Sequence, residues 1–426
     1  MKNYRILARV FILLLIFFIA CCAQPTIVVK EPVPSPPEEV KPSEVKPPEA
    51  ILPPVKPPLV KYNRYTLGCV LPLSGQHADL GSKALDAILL SAGMFDGENK
   101  TLWKVVAEDS HGLPEGARAA VEHLANTENV MAIVAVTGTE EAIEAAREAN
   151  KWEVPIVLIT SKEGITSLSE YVFQHFLTPT QQIRAVVKYA LDDLNCAIFS
   201  ILYPQDDYGE EMVKIFRAEA ALIGGKVERA IPYNKDQTDF TEEINKVTGN
   251  LISAAKKMSS KKTEAKTQLA LDFEALFIPD SYRRVRMITS QLAFYDVKGI
   301  KLLGASLWNS PYLLKKGADY LEGAVFADSF FANSFYPETN DFVDVYYTAY
   351  SRDPESIEAL AYDTAGIIFH VLENKDIQTR QEFINALIKV ENYKGATGNI
   401  SFGSDRVAQK TPFILRVKNG KLEQVK

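Results

Sequence analysis

Apolar residues along this chain fall in short blocks separated by amphipathic stretches of helical length. Tyr65–Leu71 predicts a strand, and Ser82–Gly93 has helical period. Trp103–Glu108 predicts a strand ending at Asp109, and Glu115–Leu124 a helix. Met131–Val136 predicts a strand ending at Thr137-Gly138-Thr139, and Glu140–Lys151 a breaker-free helix. Short strands follow at Pro155–Thr160 and Val172–Leu177. The pattern then restarts with helix Gln181–Leu194, strand Cys196–Tyr203, helix Glu210–Ile223, strand Lys226–Pro232 and helix Thr241–Val247. Strand Ala275–Pro279, helix Tyr282–Tyr295 and strand Lys301–Ala305 continue it. Strands spaced by helices of roughly 10–15 residues mean βαβ units, right-handed crossovers and parallel sheets. Two such series predict an α/β fold of two doubly wound lobes.

The first residues follow another rule. Lys2, Arg5 and Arg9 precede the unbroken apolar run Val10–Ala20, and Cys21 and Cys22 come directly after. A helix of that length rises about 16 Å, roughly half a bilayer core, so the run reads as a secretory signal and not a span. Phe18-Ile19-Ala20-Cys21 resembles a bacterial lipobox, with Phe18 where Leu is usual. The resemblance implies a signal peptide at 1–20, cleavage before Cys21 and lipidation of its thiol. The membrane would then hold the chain by acyl chains only. Cys22, in place of an Asp after the lipidated residue, leans toward the outer membrane.

Residues 25–58 hold 12 of the chain's 23 prolines. Proline fixes φ and removes the backbone donor, so 21–61 reads as a Pro-rich tether of extended polyproline type. Its roughly 38 residues from Ala23 to Val60 would reach on the order of 120 Å. It either lifts the folded part off lipid or lets it reach across the periplasm or into the cell wall.

The remainder is too long for one ordinary core and fits two domains. Loss of Lys2, Arg5 and Arg9 takes the formal charge from −7 to −10, which argues against nucleic-acid binding. Cys69 and Cys196 sit in apolar runs and read as buried small hydrophobes. The Cys and His spacings suggest no metal, and no cofactor motif occurs. G-x-S-x-G, P-loop and H-E-x-x-H patterns are missing, so no catalytic residue is assigned and the chain reads as a non-enzyme. Asp206-Asp207 reads as a helix N-cap in a turn. The Lys-rich stretch Gly249–Leu271 reads as a solvated face or a basic contact patch.

Certain segments resemble a known family. Val70-Leu71-Pro72-Leu73-Ser74-Gly75, with Gly81 opening a helix, is similar to the first strand and loop of type I periplasmic binding proteins of the Leu/Ile/Val-binding branch. Leu202-Tyr203-Pro204-Gln205-Asp206-Asp207-Tyr208-Gly209 is similar to that family's second-lobe opening. Asp239-Phe240, Ala275–Pro279 and Gly323–Phe326 follow in its order, so the resemblance covers roughly 62–425. It implies three chain crossings, near Leu177–Gln181, Asp328–Asn333 and Tyr393–Ala396. Lobe one is then 62–179 plus 332–394, and lobe two 180–331 plus 395–426. A small amino-acid-like or anionic ligand would lie between them, where strand carboxyl ends and helix N-termini meet.

The expected ligand-binding residues are Ser74, Thr137, Thr139, Thr160, Ser161, Lys162, Tyr208, Tyr282 and Trp308, with Cys21 lipidated. The hydroxyl of Thr139 either caps the helix after it or holds a ligand carboxylate. At Ala135, Lys162 and Gly164 the chain departs from the family's pattern. Lys162 either pairs with an anionic group or is a surface lysine. Tyr208 and Tyr282 either cover a ligand or pack the hinge. The resemblance implies a lipid-anchored periplasmic solute-binding protein serving an ABC permease or a receptor. Phe273–Pro279, Tyr282–Phe294 and Leu321–Asp328 are also similar to outer-membrane lipoprotein activators of peptidoglycan synthases (penicillin-binding proteins). That alternative implies protein–protein contact.

Overall fold

The computed structural model describes residues 62–95, 101–254, 270–315 and 318–426. The expected signal peptide, Cys21, the tether and most of the Lys-rich stretch lie outside the described residues.

In chain order the elements begin with β1 (Asn63–Leu71), α1 (Ala78–Ser91), β2 (Lys104–Asp109), α2 (Pro114–Glu122), β3 (Val130–Val136) and α3 (Thr139–Lys151). Next come β4 (Ile156–Ile159), β5 (Val172–Gln174), α4 (Pro179–Asp192), β6 (Ile198–Pro204), α5 (Asp207–Leu222), β7 (Lys226–Tyr233) and α6 (Thr241–Val247). They continue with β8 (Ala275–Phe277), α7 (Tyr282–Phe294), β9 (Lys301–Gly304), β10 (Val325–Asp328), α8 (Pro337–Tyr350), α9 (Ser356–Glu373) and α10 (Arg380–Leu387). The last are β11 (Tyr393–Gly395), β12 (Gly398–Ser401), β13 (Gln409–Lys410), β14 (Phe413–Lys418) and β15 (Lys421–Gln424).

One parallel sheet has the order β2-β1-β3-β4-β5. A second has the order β15-β14-β10-β9-β8-β6-β7, parallel from β10 to β7 with β14 and β15 added antiparallel. β3, Val-Met-Ala-Ile-Val-Ala-Val, is buried throughout, as a central parallel strand with helices on both faces must be. In β1 the side chains alternate: Cys69 and Leu71 join the core beneath α1 and α9, while Val70 joins the one beneath α2 and α3. Helices are seated by glycines at close approaches. A Cβ on Gly81 would come within 2.2 Å of the Pro72 carbonyl oxygen, and one on Gly209 within 1.9 Å of that of Pro204. Among the described residues no helix is long and apolar enough to cross a membrane.

The chain leaves the first sheet at the carboxyl end of β5 and enters α4. Thr178 caps that helix: its Oγ1 accepts from Gln181 N at 3.3 Å, and Gln181 Oε1 accepts from Thr178 N at 3.1 Å. It returns at the carboxyl end of β10. β14 then begins beside that same end, Phe413 pairing with Asp328. The carboxyl edges of both sheets therefore border the junction.

The last passage differs from expectation. The sequence places 395–410 with the second lobe, but Ala396, Ile400, Phe402 and Ala408 share the core of α9 and β1. β12 and β13 form a small sheet with β11, and Val407 bridges to Gln174 of β5. The passage to the second sheet falls between Lys410 and Phe413. Apolar alternation marks such a segment as strand but does not say which core receives it.

Candidate ligand-binding cleft

Three loops of the first sheet build one half of the site. Ser74 follows β1 and is half-buried. Asp109 Oδ1 accepts from the backbone N–H of Leu73 (2.9 Å), Ser74 (3.2 Å) and His111 (2.8 Å). Burial pushes the Asp109 carboxyl up, but bonds from Ser74, His111 and Leu73 outweigh it and hold the group below the usual carboxylate range. His111 Nδ1 lies 2.7 Å from Ser74 Oγ and 2.9 Å from Asp109 Oδ2. Both contacts use the same ring nitrogen. A nucleophile–base–acid relay needs opposite ones, so this trio positions a loop and does not activate the serine.

At the end of β3, Thr137 is 8 % exposed, and its Oγ1 is buried without a hydrogen-bond partner. Gly138 precedes α3, and its N–H donates to Glu141 Oε2 at 2.9 Å. Ser110 Oγ donates to Glu141 Oε1 at 3.2 Å. The first turn of α3 is thus capped by its own buried Glu141. Thr139 is the first helical residue and exposed, so the capping role open to it falls to Glu141 instead. At the end of β4, Thr160 is buried, Ser161 exposed and Lys162 half-buried. The side chain of Gln174 fixes this loop by donating to the carbonyls of Thr160 (2.7 Å) and Lys162 (3.0 Å).

The second sheet supplies the other half. Asp206 caps α5, its Oδ1 accepting from Gly209 N at 2.8 Å. Burial raises the Tyr208 phenol well above its ordinary range, and the nearby carboxylates of Asp280 and Asp206 add to this. Asp280, beyond the end of β8, accepts from Tyr233 Oη at 2.7 Å and lies 3.9 Å from Arg284. Tyr282 stacks on the half-exposed Tyr312, with centroids 6.1 Å apart. Trp308 corrects an expectation. It is 0 % exposed, donates from Nε1 to Ile278 O at 3.0 Å, and packs where a Gly304 side chain would stand. It is core and cannot face a ligand.

The carboxyl edges thus gather Ser74, Thr137, Thr139, Thr160, Ser161 and Lys162 on one sheet, and Tyr208 and Tyr282 on the other. In the sequence Glu141 is only one acid among several of a breaker-free helix. Asp280 likewise has no role in the sequence reading, although a lone acid after the apolar run Ala275–Pro279 is the available signal. Among the described residues no group of His, Cys, Asp and Glu is arranged to hold a metal ion.

With two doubly wound sheets joined at their carboxyl edges, the architecture is that of a two-lobed binding protein. The model of the periplasmic binding protein family matches residues 64–251 and 287–421, and the chain belongs to that family. No curated protein is similar enough to count as a match. Among solved structures, a protein described as a branched-chain amino acid ABC transporter from Rhodospirillum rubrum superposes with a TM-score of 0.73 at 20 % identity, over 84 % of this chain and 99 % of its own. The branched-chain amino acid substrate-binding protein LivJ from Streptococcus pneumoniae, in complex with isoleucine, gives 0.62 at 21 % identity over 84 % and 99 %. An ABC-transporter solute-binding protein from Rhodopseudomonas palustris, in complex with 3,4-dihydroxybenzoic acid, gives 0.63 at 20 % identity over 85 % and 95 %. At these identities the likeness carries the fold alone. Members of the family are solute-binding proteins and not enzymes.

Proposed function

We propose that this protein is the solute-binding component of an ABC transporter, closing its two lobes on a small amino-acid-like ligand. The observation that carries this reading is the unpartnered, buried Thr137 Oγ1 at the end of β3. A buried hydroxyl without a partner costs about 1–3 kcal/mol, which a ligand atom at that strand end would relieve. On the second lobe, Asp280 beside Tyr208 offers a carboxylate suited to an ammonium group. Lys162, Ser74 and Thr160 would serve polar or anionic ends of the ligand.

The family match spans both sheets and favours this reading over the peptidoglycan-synthase activator. In this reading lobe one comprises 62–177 and 332–410, and lobe two 180–331 and 413–426. Cys21 carries the lipid, the residue after it favours the outer membrane, and the tether lets the lobes meet a permease away from the anchor.

The test is thermal unfolding of the purified chain across amino acids, amides, small acids and muropeptides. A ligand at 100 times its dissociation constant adds about 2.7 kcal/mol. A reproducible shift with one compound class supports the reading and names the class. A flat panel with well-folded protein refutes it for those compounds and returns weight to a protein partner.

A further inference from the structure

Beside the proposed solute site, the turns around α7 build a second surface. Tyr282 opens α7, and Tyr312 stands in the turn after β9. That turn is anchored by its neighbours. Asn309 Nδ2 donates to Asp328 Oδ2 at 2.7 Å and to Phe330 O at 3.1 Å, and Leu313 is fully buried. Tyr312 N donates to Ser310 Oγ at 3.2 Å, and Arg286 Nη1 of α7 donates to Tyr312 O at 3.3 Å. The Tyr312 residue is held 50 % exposed, its ring plane 23° from that of Tyr282.

A cation sits on each ring of this pair. Lys315 Nζ lies 4.2 Å from the Tyr312 centroid, and the Arg283 guanidinium carbon 5.7 Å from that of Tyr282. Arg283 Nε also donates to Tyr282 Oη at 3.0 Å. Both cations are exposed, and among the described residues neither has a carboxylate partner. Asp280, the acid nearest Arg283 along the chain, accepts from Tyr233 and lies beside Arg284 instead. The remaining bases of α7 turn to backbone: Arg284 donates to the carbonyls of Gln237 and Lys235, and Arg286 to that of Tyr312. Two unpaired cations run against the chain's balance of 54 acids to 47 Lys and Arg. Arg283 also runs against the helix dipole, which favours acids in a first turn, where α7 has none.

Arg283 uses Nε on Tyr282 Oη and keeps the Nη1–Nη2 end of its fork, which takes a carboxylate with two hydrogen bonds. Tyr282 Oη accepts the Nε bond, so its own proton is left to donate. The rings hold both cations in place before a partner arrives, so binding does not have to order them. Exposed tyrosine and arginine together mark protein interfaces. Leu307 and Tyr320, both 49 % exposed, lie on turns that also pack against α7. An anionic bilayer is read by clusters of roughly four to eight bases, and a nucleic acid by a basic stripe. Two cations on a net acidic chain fit neither and match two carboxylates of a peptide.

We propose that Lys315, Tyr312, Tyr282 and Arg283 form the centre of a docking surface for an acidic segment of a partner protein, with one carboxylate on the Arg283 fork and another on the Lys315 ammonium. The surface belongs to the second sheet alone and uses neither Thr137, Lys162 nor Asp280, so it stands whether or not a solute binds.

The experiment reads the anisotropy of dye-labelled hexaglutamate with the purified full chain at low ionic strength, where charge attraction is least screened. Saturable binding is expected, weakened about tenfold or more in Arg283→Gln, the worth of a charge-assisted bond. Tyr312→Ala removes no charge but takes the ring from under Lys315 and from beside Tyr282, and should weaken binding several-fold. Lys301→Ala removes one exposed charge at the start of β9, on the opposite edge of the same sheet, and should leave affinity unchanged. No saturable binding of hexaglutamate overturns the proposal. So does equal weakening in Lys301→Ala and Arg283→Gln, or indifference to Tyr312→Ala, since either reports attraction to charge alone. Tighter binding to phosphatidylglycerol vesicles than to the peptide overturns it in favour of a lipid surface. If Tyr312→Ala does not fold, Arg283→Gln against Lys301→Ala decides alone. Because no solute enters, failure here leaves solute binding untouched, and a flat solute panel leaves this result standing.

Discussion

Thr137→Val isolates the atom on which the proposed function leans. Valine keeps the branched shape and replaces only the hydroxyl. Thr137 Oγ1 is buried with no partner, so the native chain carries an unpaired polar atom worth about 1–3 kcal/mol. Some of that is recovered by relaxation, so the variant should gain about 1 kcal/mol without ligand. For a lobe of roughly 150–250 residues this raises Tm by about 2–4 °C. Affinity for any solute found in the panel should fall about 2- to 10-fold, the worth of one hydrogen bond. Ser200 supplies the control. Its Oγ is also buried and unpartnered, but it stands within β6, away from the carboxyl edge. Ser200→Ala should shift stability in the same direction and leave affinity unchanged. Calorimetry for Tm and titration calorimetry for affinity read both effects. A Thr137→Val chain that is less stable by 1 kcal/mol or more, or that binds solute as the native chain does, would refute the reasoning.

Asp280→Asn should weaken binding of an amine-bearing solute at least tenfold by titration calorimetry, about the worth of a charge-assisted bond, while changing Tm little; unchanged affinity would remove Asp280 from the site. Arg380→Met should cost about 3–5 kcal/mol in urea unfolding, because the buried guanidinium of α10 donates to the carbonyls of Ala125 (3.0 Å), Val130 (2.8 and 3.1 Å) and Trp152 (2.9 Å), which methionine leaves unpaired. Carboxyl NMR should show Asp328 and Asp363 titrating near pH 6. Their folded values lie above the unfolded one, so the stability they contribute is present below about pH 4 and is lost as pH rises through 6; titration near 4 would contradict their burial.

The alternation of strands and helices is legible because it is local. Seven consecutive apolar residues in β3, short and rich in Val and Ile, suit a strand covered on both faces, and the 2.0 and 3.6 residue periods need no knowledge of distant chain. The glycines that seat α1 and α5 are visible for the same reason, since Gly81 and Gly209 each meet a carbonyl only a few residues upstream. The loops at strand ends follow from those elements, which is why Ser74, Thr137 and Tyr208 stand at the carboxyl edges.

Trp308 is ambiguous in sequence because a large aromatic after a strand suits a cleft rim as well as a core. Only the space over Gly304 and the carbonyl of Ile278 decide between them. Glu141 and not Thr139 caps α3, and its place is fixed by Gly138 and by Ser110 in another loop, which periodicity does not show. Residues 395–410 carry a strand pattern without an address, and Asp363, in a different helix, binds them to the first core. His175 and Lys410, 235 positions apart in the chain, have no mutual signal in sequence. From its sequence alone this protein determined its elements, their order and the loops that stand at the sheet edges. Its tertiary structure decided which of those side chains are buried, which carboxylate caps which helix, and which polar groups of distant segments meet. Burial and charge pairing depend on distances between remote segments, and periodicity along a chain does not contain them.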